Sequence, residues 1–377
     1  MAGILAVIIV LLIYGTLYPW VFVARNLPAS PLYILFHSWD ADLRQPRILA
    51  DVAINLAIYM PLGWSAYLVL RRLRSRVLRV LLPVLLGTLL SATLEMAQLF
   101  TLSRNCSGVD WLNNTLGSAL GVAAGFTFRR ILPGPQPRDR GALALLVCGV
   151  AYLVFPLFPI LHRDELAARA LAYLRPSLIS PVAVLTALAA WFAAGQLLIR
   201  ASVRRPLVWL CILLCLQPLQ VAIVGRTPTL AGLAGGLLAV LLYALGGRMP
   251  NAARISAILL LLAITIEGLS PFSFAAPQPF LWIPFSGLLN TPQQMAFIIV
   301  LRKLFLYGTT VWMLNRCGLS FVRAGASVTI LLAAIELVQT RIPPHLPEIT
   351  DPLLGVLSTF ALSTLARRQA KPTRLAR

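Results

Sequence analysis

Apolar stretches about as long as a bilayer is thick recur along the whole length of this chain, and that recurrence limits its fold more than any motif does. A spanning helix needs roughly 20 consecutive, mostly apolar residues. The sequence offers such stretches at 3–24, 51–70, 78–100, 109–128, 141–161, 179–199, 206–225, 228–246, 252–269, 294–314, 319–340 and 350–366. With 59 % hydrophobic and only 12 % charged residues in a chain of 377, no sizeable soluble domain fits between them. The expected fold is an all-α polytopic membrane protein with about twelve transmembrane helices. The run from Met1 to Val23 has neither a basic n-region nor an A-x-A site, so it reads as a retained helix rather than a cleaved signal.

Charge then orients the helices. The net charge is +20, and 30 of the 32 basic residues are arginine. In a soluble protein this would suggest nucleic acid; here most arginines lie between apolar stretches, where membrane topology accounts for them and no nucleic-acid partner is expected. If all twelve stretches span, the even-to-odd connections and the C-terminal tail carry 21 of the 32 basic residues, and the opposite side carries 11 of the 12 acids. The positive-inside rule places both termini in the cytoplasm. The loop from Arg71 to Arg79, with five arginines, fits that topology without a binding role, although contact with anionic lipid there is worth about 1 kcal/mol per charge.

One pattern occurs three times. Glu95-x-x-Gln98, Gln217-x-x-Gln220 and Glu336-x-x-Gln339 each sit near the outer end of an apolar stretch, 122 and then 119 residues apart. An arginine follows each (Arg104, Arg226, Arg341), and then a glycine-bearing apolar stretch. Upstream, a stretch ends in Tyr18-Pro19, Phe155-Pro156 or Ser270-Pro271. The economical reading is three four-helix repeats, at 1–138, 139–250 and 251–367, with a basic cytoplasmic tail at 368–377.

The first repeat concentrates polar residues inside its spans, where they are costly and by default functional. Asp51 and Asn55 share one helix face, Glu95 and Gln98 another, and Asp110, Asn113, Asn114 and Gly117 a third. Asn55, Glu95 and Asn113 each fall within about two turns of the outer surface. Packed together, these faces would form a small polar pocket opening outward, with Arg104 as partner for a carboxylate or an anionic group. The plainer reading is that such side chains hold helices together or cap them, as Asp110 could. The third repeat keeps Glu336, Gln339, Arg341 and Asp351 but has Lys303 and Tyr307 in place of the Asn55 region; the second has no acid in its motif.

The run Asp51-Val-Ala-Ile-Asn55, Tyr59-Met60-Pro61-Leu62-Gly63, Glu95-x-x-Gln98, Arg104, Asp110, Asn113/Asn114 and Gly117 resembles the VanZ-like family of bacterial membrane proteins over residues 16–128. The resemblance marks Asn55, Pro61, Gly63, Glu95, Gln98, Arg104, Asp110, Asn114 and Gly117 as family positions without assigning them roles. It implies the bacterial cytoplasmic membrane and an envelope setting, since founding members are associated with low-level resistance to the glycopeptide teicoplanin.

Other signals are structural or silent. Pro61 within a span suggests a kink beside Asn55. Gly117, Gly121 and Gly125 form a small-residue stripe of the kind that brings helices close. Cys106, Cys148, Cys211, Cys215 and Cys317 have no paired spacing, and His37, His162 and His345 have no ligand spacing, so no disulfide, metal or cofactor is expected. No phosphate-binding loop or common hydrolase motif is present. The leading expectation is a protein that binds or moves an amphiphilic envelope lipid or a glycopeptide-related ligand through the outward polar pocket. Its partners are membrane lipids and a lipid-linked envelope intermediate. A membrane-embedded enzyme using Glu95 or Asp110 as acid or base, and an accessory scaffold, remain open alternatives.

Overall fold

The structure is a computed structural model that describes residues 1–39, 46–102, 105–131, 139–156, 158–160, 162–175 and 179–369. Its residues form two compact units, 1–135 and 136–377. The described residues are helical, with isolated bridges and no strand. The first unit holds α1 (Ala2–Leu17), α2 (Pro31–His37), α3 (Pro46–Leu70), α4 (Arg76–Gln98) and α5 (Gly108–Ile131). The second holds α6 (Arg140–Val154), α7 (Arg163–Tyr173), α8 (Pro181–Arg200), α9 (Pro206–Leu219), α10 (Leu230–Gly246), α11 (Ala252–Leu269), α12 (Ser286–Leu289), α13 (Gln293–Arg316), α14 (Phe321–Gln339) and α15 (Thr350–Gln369).

Local chemistry sets the helix ends. Ser75, Thr229 and Ser320 accept hydrogen bonds from the first-turn N–H groups of α4, α10 and α14 at 3.2–3.3 Å, meeting donors the helix itself leaves unpaired. At the other ends, Pro19 and Pro156 stop α1 and α6 at Leu17 and Val154. Proline lacks an N–H and drives the preceding residue out of the helical region. The apolar stretches expected at 3–24 and 141–161 are therefore shorter as helices. Among the described residues, six helical segments are long and apolar enough to cross a membrane: Ile48–Leu70, Arg76–Gln98, Pro181–Arg200, Ala252–Leu269, Gln293–Arg316 and Phe321–Gln339. Ala2–Leu17, Arg140–Val154, Pro206–Ala222 and Leu230–Gly246 are apolar but shorter.

Their surfaces point to lipid. Val77, Leu81, Leu85 and Leu89, one turn apart on α4, are 43–70 % exposed. An apolar ridge of that length would be an aggregation site in water and is ordinary against hydrocarbon. The chain is a multi-pass membrane protein.

In the first unit α5 lies directly on α3. A Cβ added to Gly63 would stand 1.9 Å from the Ser118 carbonyl oxygen, one on Gly117 2.4 Å from that of Leu56, and one on Gly121 2.1 Å from that of Met60. Only glycine lets the two backbones approach so closely. Helix α3 runs through Pro61 without interruption. In the second unit, Asp139 caps α6 by accepting from Gly141 N (2.9 Å) and Ala142 N (3.0 Å), and its other oxygen accepts from Trp312 Nε1 on α13 (3.1 Å). Helices on both sides of Pro250 share one core, in which Leu197 and Leu210 join Leu260, Trp312 and Leu332.

Candidate functional site

The polar residues of the first unit meet where α4 ends and α5 begins. Asn55 Nδ2 donates to Asp110 Oδ1 at 2.7 Å, joining α3 to α5. The Ser107 N–H, just ahead of α5, donates to Glu95 Oε2 at 3.0 Å, so a carboxylate on α4 serves the start of the next helix. Asn114 Nδ2 donates to Ser91 Oγ at 2.9 Å, which ties α5 to α4 on its other side. Glu95, Gln98, Asn113 and Asn114 are all buried. Asp51, one turn before Asn55, is exposed, so it lies at the edge of the cluster. Arg104, expected as the partner of a carboxylate or an anionic group, lies outside the described residues.

Gln98 has a different job. Its Nε2 donates across 82 residues to the Thr16 carbonyl oxygen, 3.2 Å away in the last turn of α1. The last four carbonyls of a helix have no partner within it, and in hydrocarbon no water replaces one. The same bond forms twice more. Gln220 Nε2 donates to Leu153 O at the end of α6 (2.7 Å), and Gln339 Nε2 to Gly268 O at the end of α11 (2.8 Å). The first residue of each motif likewise reaches backbone 12 residues on: Glu95 to Ser107 N, Gln217 Nε2 to Thr229 O (3.2 Å), and Glu336 to Glu348 N (2.8 Å). Position one thus fastens the approach to the following helix, and position four closes the end of an earlier one. Replacing Gln98 with leucine should cost about 1 kcal/mol and loosen the end of α1; hydrogen exchange at residues 17–20 is expected to quicken while that of α3 stays unchanged.

The later motif residues fall into a charged cluster. Asp351 on α15 accepts from Lys303 Nζ at 2.5 Å and from the Tyr307 hydroxyl at 2.6 Å, both on α13. Glu336 and Gln339 are buried on α14. Arg341 is exposed after α14, and no side-chain hydrogen bond joins it to this cluster; Lys303 supplies the cation instead.

Chemically, the first cluster offers hydrogen-bond donors and acceptors rather than a nucleophile. Burial, reinforced by the Glu95 carboxylate, pushes the Cys106 thiol up to about 11, which keeps it protonated at neutral pH. Two amide atoms are enclosed without a hydrogen-bond partner among the described residues, Asn113 Nδ2 and Asn114 Oδ1. Asn113 lies between Asp110 and Gly117 along the side of α5 that faces α3.

Three charged residues that the sequence does not assign to a site stand in the second unit. Arg302 on α13 pairs with Glu267 on α11 at 2.5 and 2.7 Å, and Arg226 is 5 % exposed after α9. Glu267 and Arg302 lie inside apolar stretches, where any ionisable residue is a signal of function. Arg226 was visible only as the residue that follows the second motif.

No curated protein and no solved structure matches the chain. Residues 4–129 match the VanZ/LLP1 family model. That match spans the whole first polar cluster, from Asp51 to Gly117, so over residues 4–129, about a third of its length, the chain is similar to the VanZ/LLP1 family.

Proposed function

We propose that this protein binds, or moves, an amphiphilic envelope lipid or a glycopeptide-related ligand in the bacterial cytoplasmic membrane, with the headgroup held at the polar cluster of the VanZ-like unit. The observation that carries this reading is Asn113, which is 7 % exposed and whose Nδ2 has no hydrogen-bond partner among the described residues. A buried, unpaired amide costs about 1–3 kcal/mol, and a ligand oxygen would remove that cost. Asp110 and Asn55 stand one helical turn away, and the exposed Asp51 marks the approach.

The reading includes three copies of one four-helix unit and twelve crossings. Each copy has the order long helix, short helix, then three long helices: α1 to α5, α6 to α10 and α11 to α15. The three glutamine-to-carbonyl bonds and the three links over 12 residues support it. Helices of 14–17 residues such as α1, α6, α9 and α10 span roughly 21–26 Å. Local thinning of the bilayer accommodates that shortfall. With twelve crossings, the arginine distribution sets both termini in the cytoplasm and the polar cluster at the outer side.

Asn113→Leu and Asp110→Asn test the site. At matched protein levels both are expected to lose any change in glycopeptide susceptibility conferred by the wild type, and the lipids that co-purify with it, while a lipid-facing control, Leu85→Ala, keeps both. Wild-type behaviour of the two polar variants would sink the pocket and leave these residues as ties between helices.

A further inference from the structure

The second unit has a half-open chamber of about 690 Å³ among α6, α8, α9, α11 and α13, a size typical of ligand sites. Its rim is exposed and polar, with Ser180, Thr227 and Thr229; its depth is buried and apolar, with Trp191, Phe305 and Leu306. Such a gradient, wet at one end and dry at the other, suits an amphiphile.

Three charges stand in the wall: Arg226, Glu267 and Arg302. Glu267 and Arg302 neutralise each other, and Thr186 Oγ1 donates to Glu267 Oε2 at 3.3 Å. Arg302 lies nine residues along α13, about 13 Å from its start. Arg226 is different. Its backbone oxygen accepts from Arg169 Nη2, which holds the chain there, but its guanidinium makes no hydrogen bond among the described residues. It rests on the Tyr152 ring, 4.6 Å from the centroid, with Nε enclosed and unpaired. The chamber therefore carries one uncompensated positive charge on a planar donor suited to paired phosphate oxygens.

We propose that this chamber binds the phosphate of an anionic membrane lipid, with Arg226 taking the phosphate oxygens and the wall of Trp191, Phe305 and Leu306 taking the start of the tail. The site is separate from the Asn113 cluster, and either can fail without the other. Phosphate on an apolar tail could come as a diester, as in phosphatidylglycerol, or as a monoester, as in a long-chain alkyl phosphate.

The test is a binding titration of the full-length protein in neutral detergent by native mass spectrometry. The ligands are phosphatidylglycerol, a polyprenyl monophosphate, phosphatidylcholine and inorganic phosphate. One or both anionic lipids should bind at least about tenfold more tightly than phosphatidylcholine, and the tighter of the two identifies the source. Arg226→Ala should weaken that binding by about tenfold or more, as expected for loss of a charged hydrogen bond. Ala190→Phe narrows the chamber without touching a charge and should do the same. Wild-type affinity in either variant, with an unchanged melting temperature, overturns the proposal, as does inorganic phosphate competing as well as the lipids. Should Arg226→Ala not fold, Arg226→Lys and Ala190→Phe decide. Lysine keeps the charge but not the paired geometry, so weakened binding in both supports the site and wild-type binding in either refutes it.

Discussion

Replacing Gly63 with alanine is expected to abolish the folded first unit. The new Cβ would stand 1.9 Å from the Ser118 carbonyl oxygen and 2.7 Å from its carbonyl carbon, both backbone atoms of α5. A side chain can swing away from such an overlap; a helix backbone cannot. Relief requires α5 to retreat along its whole contact with α3, which also breaks the approaches at Gly117 and Gly121. Overpacking ordinarily costs about 1–3 kcal/mol, and this case should reach or exceed the upper end. The measurement is the fraction of protein that remains monodisperse after extraction, with its melting temperature. Gly246→Ala is the control, because its added Cβ meets nothing closer than Met249 Sδ at 3.5 Å. That variant should stay within about 0.5 kcal/mol of wild type. Equal behaviour of the two would mean that α3 and α5 do not touch as described.

The second large effect concerns the charges of the second unit. Lys303→Met should destabilise strongly, because it strands Asp351, 8 % exposed and reached otherwise by the Tyr307 hydroxyl, near the buried Glu336. Removing one partner of a buried pair costs about 3–5 kcal/mol, whereas replacing both is often close to neutral. The single variant should therefore melt roughly 10 °C below wild type, and Lys303→Met with Asp351→Asn should recover most of the loss. If the single change proves no worse than the double, the ion pair is not what holds α13 to α15.

An interaction is legible in the sequence when it reaches only a short way along the chain. Glu95, Gln98, Asp110, Asn113 and Asn114 were visible as polar residues on helix faces, because helical spacing is a local property. The glycine stripe was visible for the same reason, and its contact with α3 is the one small residues imply. The glutamine bond was not visible. Gln98 looked like one wall of a pocket, but its partner is a carbonyl 82 residues earlier, at a helix end that Pro19 shortened. Lys303 and Tyr307 are legible as the residues that replace the Asn55 region in the third repeat, but that both meet Asp351 on another helix is not. Glu267 and Arg302 are legible as charges in apolar stretches, although their pairing across 35 residues is not.

Membrane residence, helix content and the three recurring motifs follow from hydropathy, length and spacing, each set within about 20 residues of chain. They would hold for almost any arrangement of the same helices. Which carbonyl Gln98 closes, which acid Lys303 meets, and that Arg226 stands unpaired in the wall of a chamber depend instead on how helices pack across 48 to 82 residues. Hydrophobic burial is non-directional and leaves many such packings open. The backbone contacts at Gly63, Gly117 and Gly121, and the directional hydrogen bonds that most buried polar groups make, select one of them.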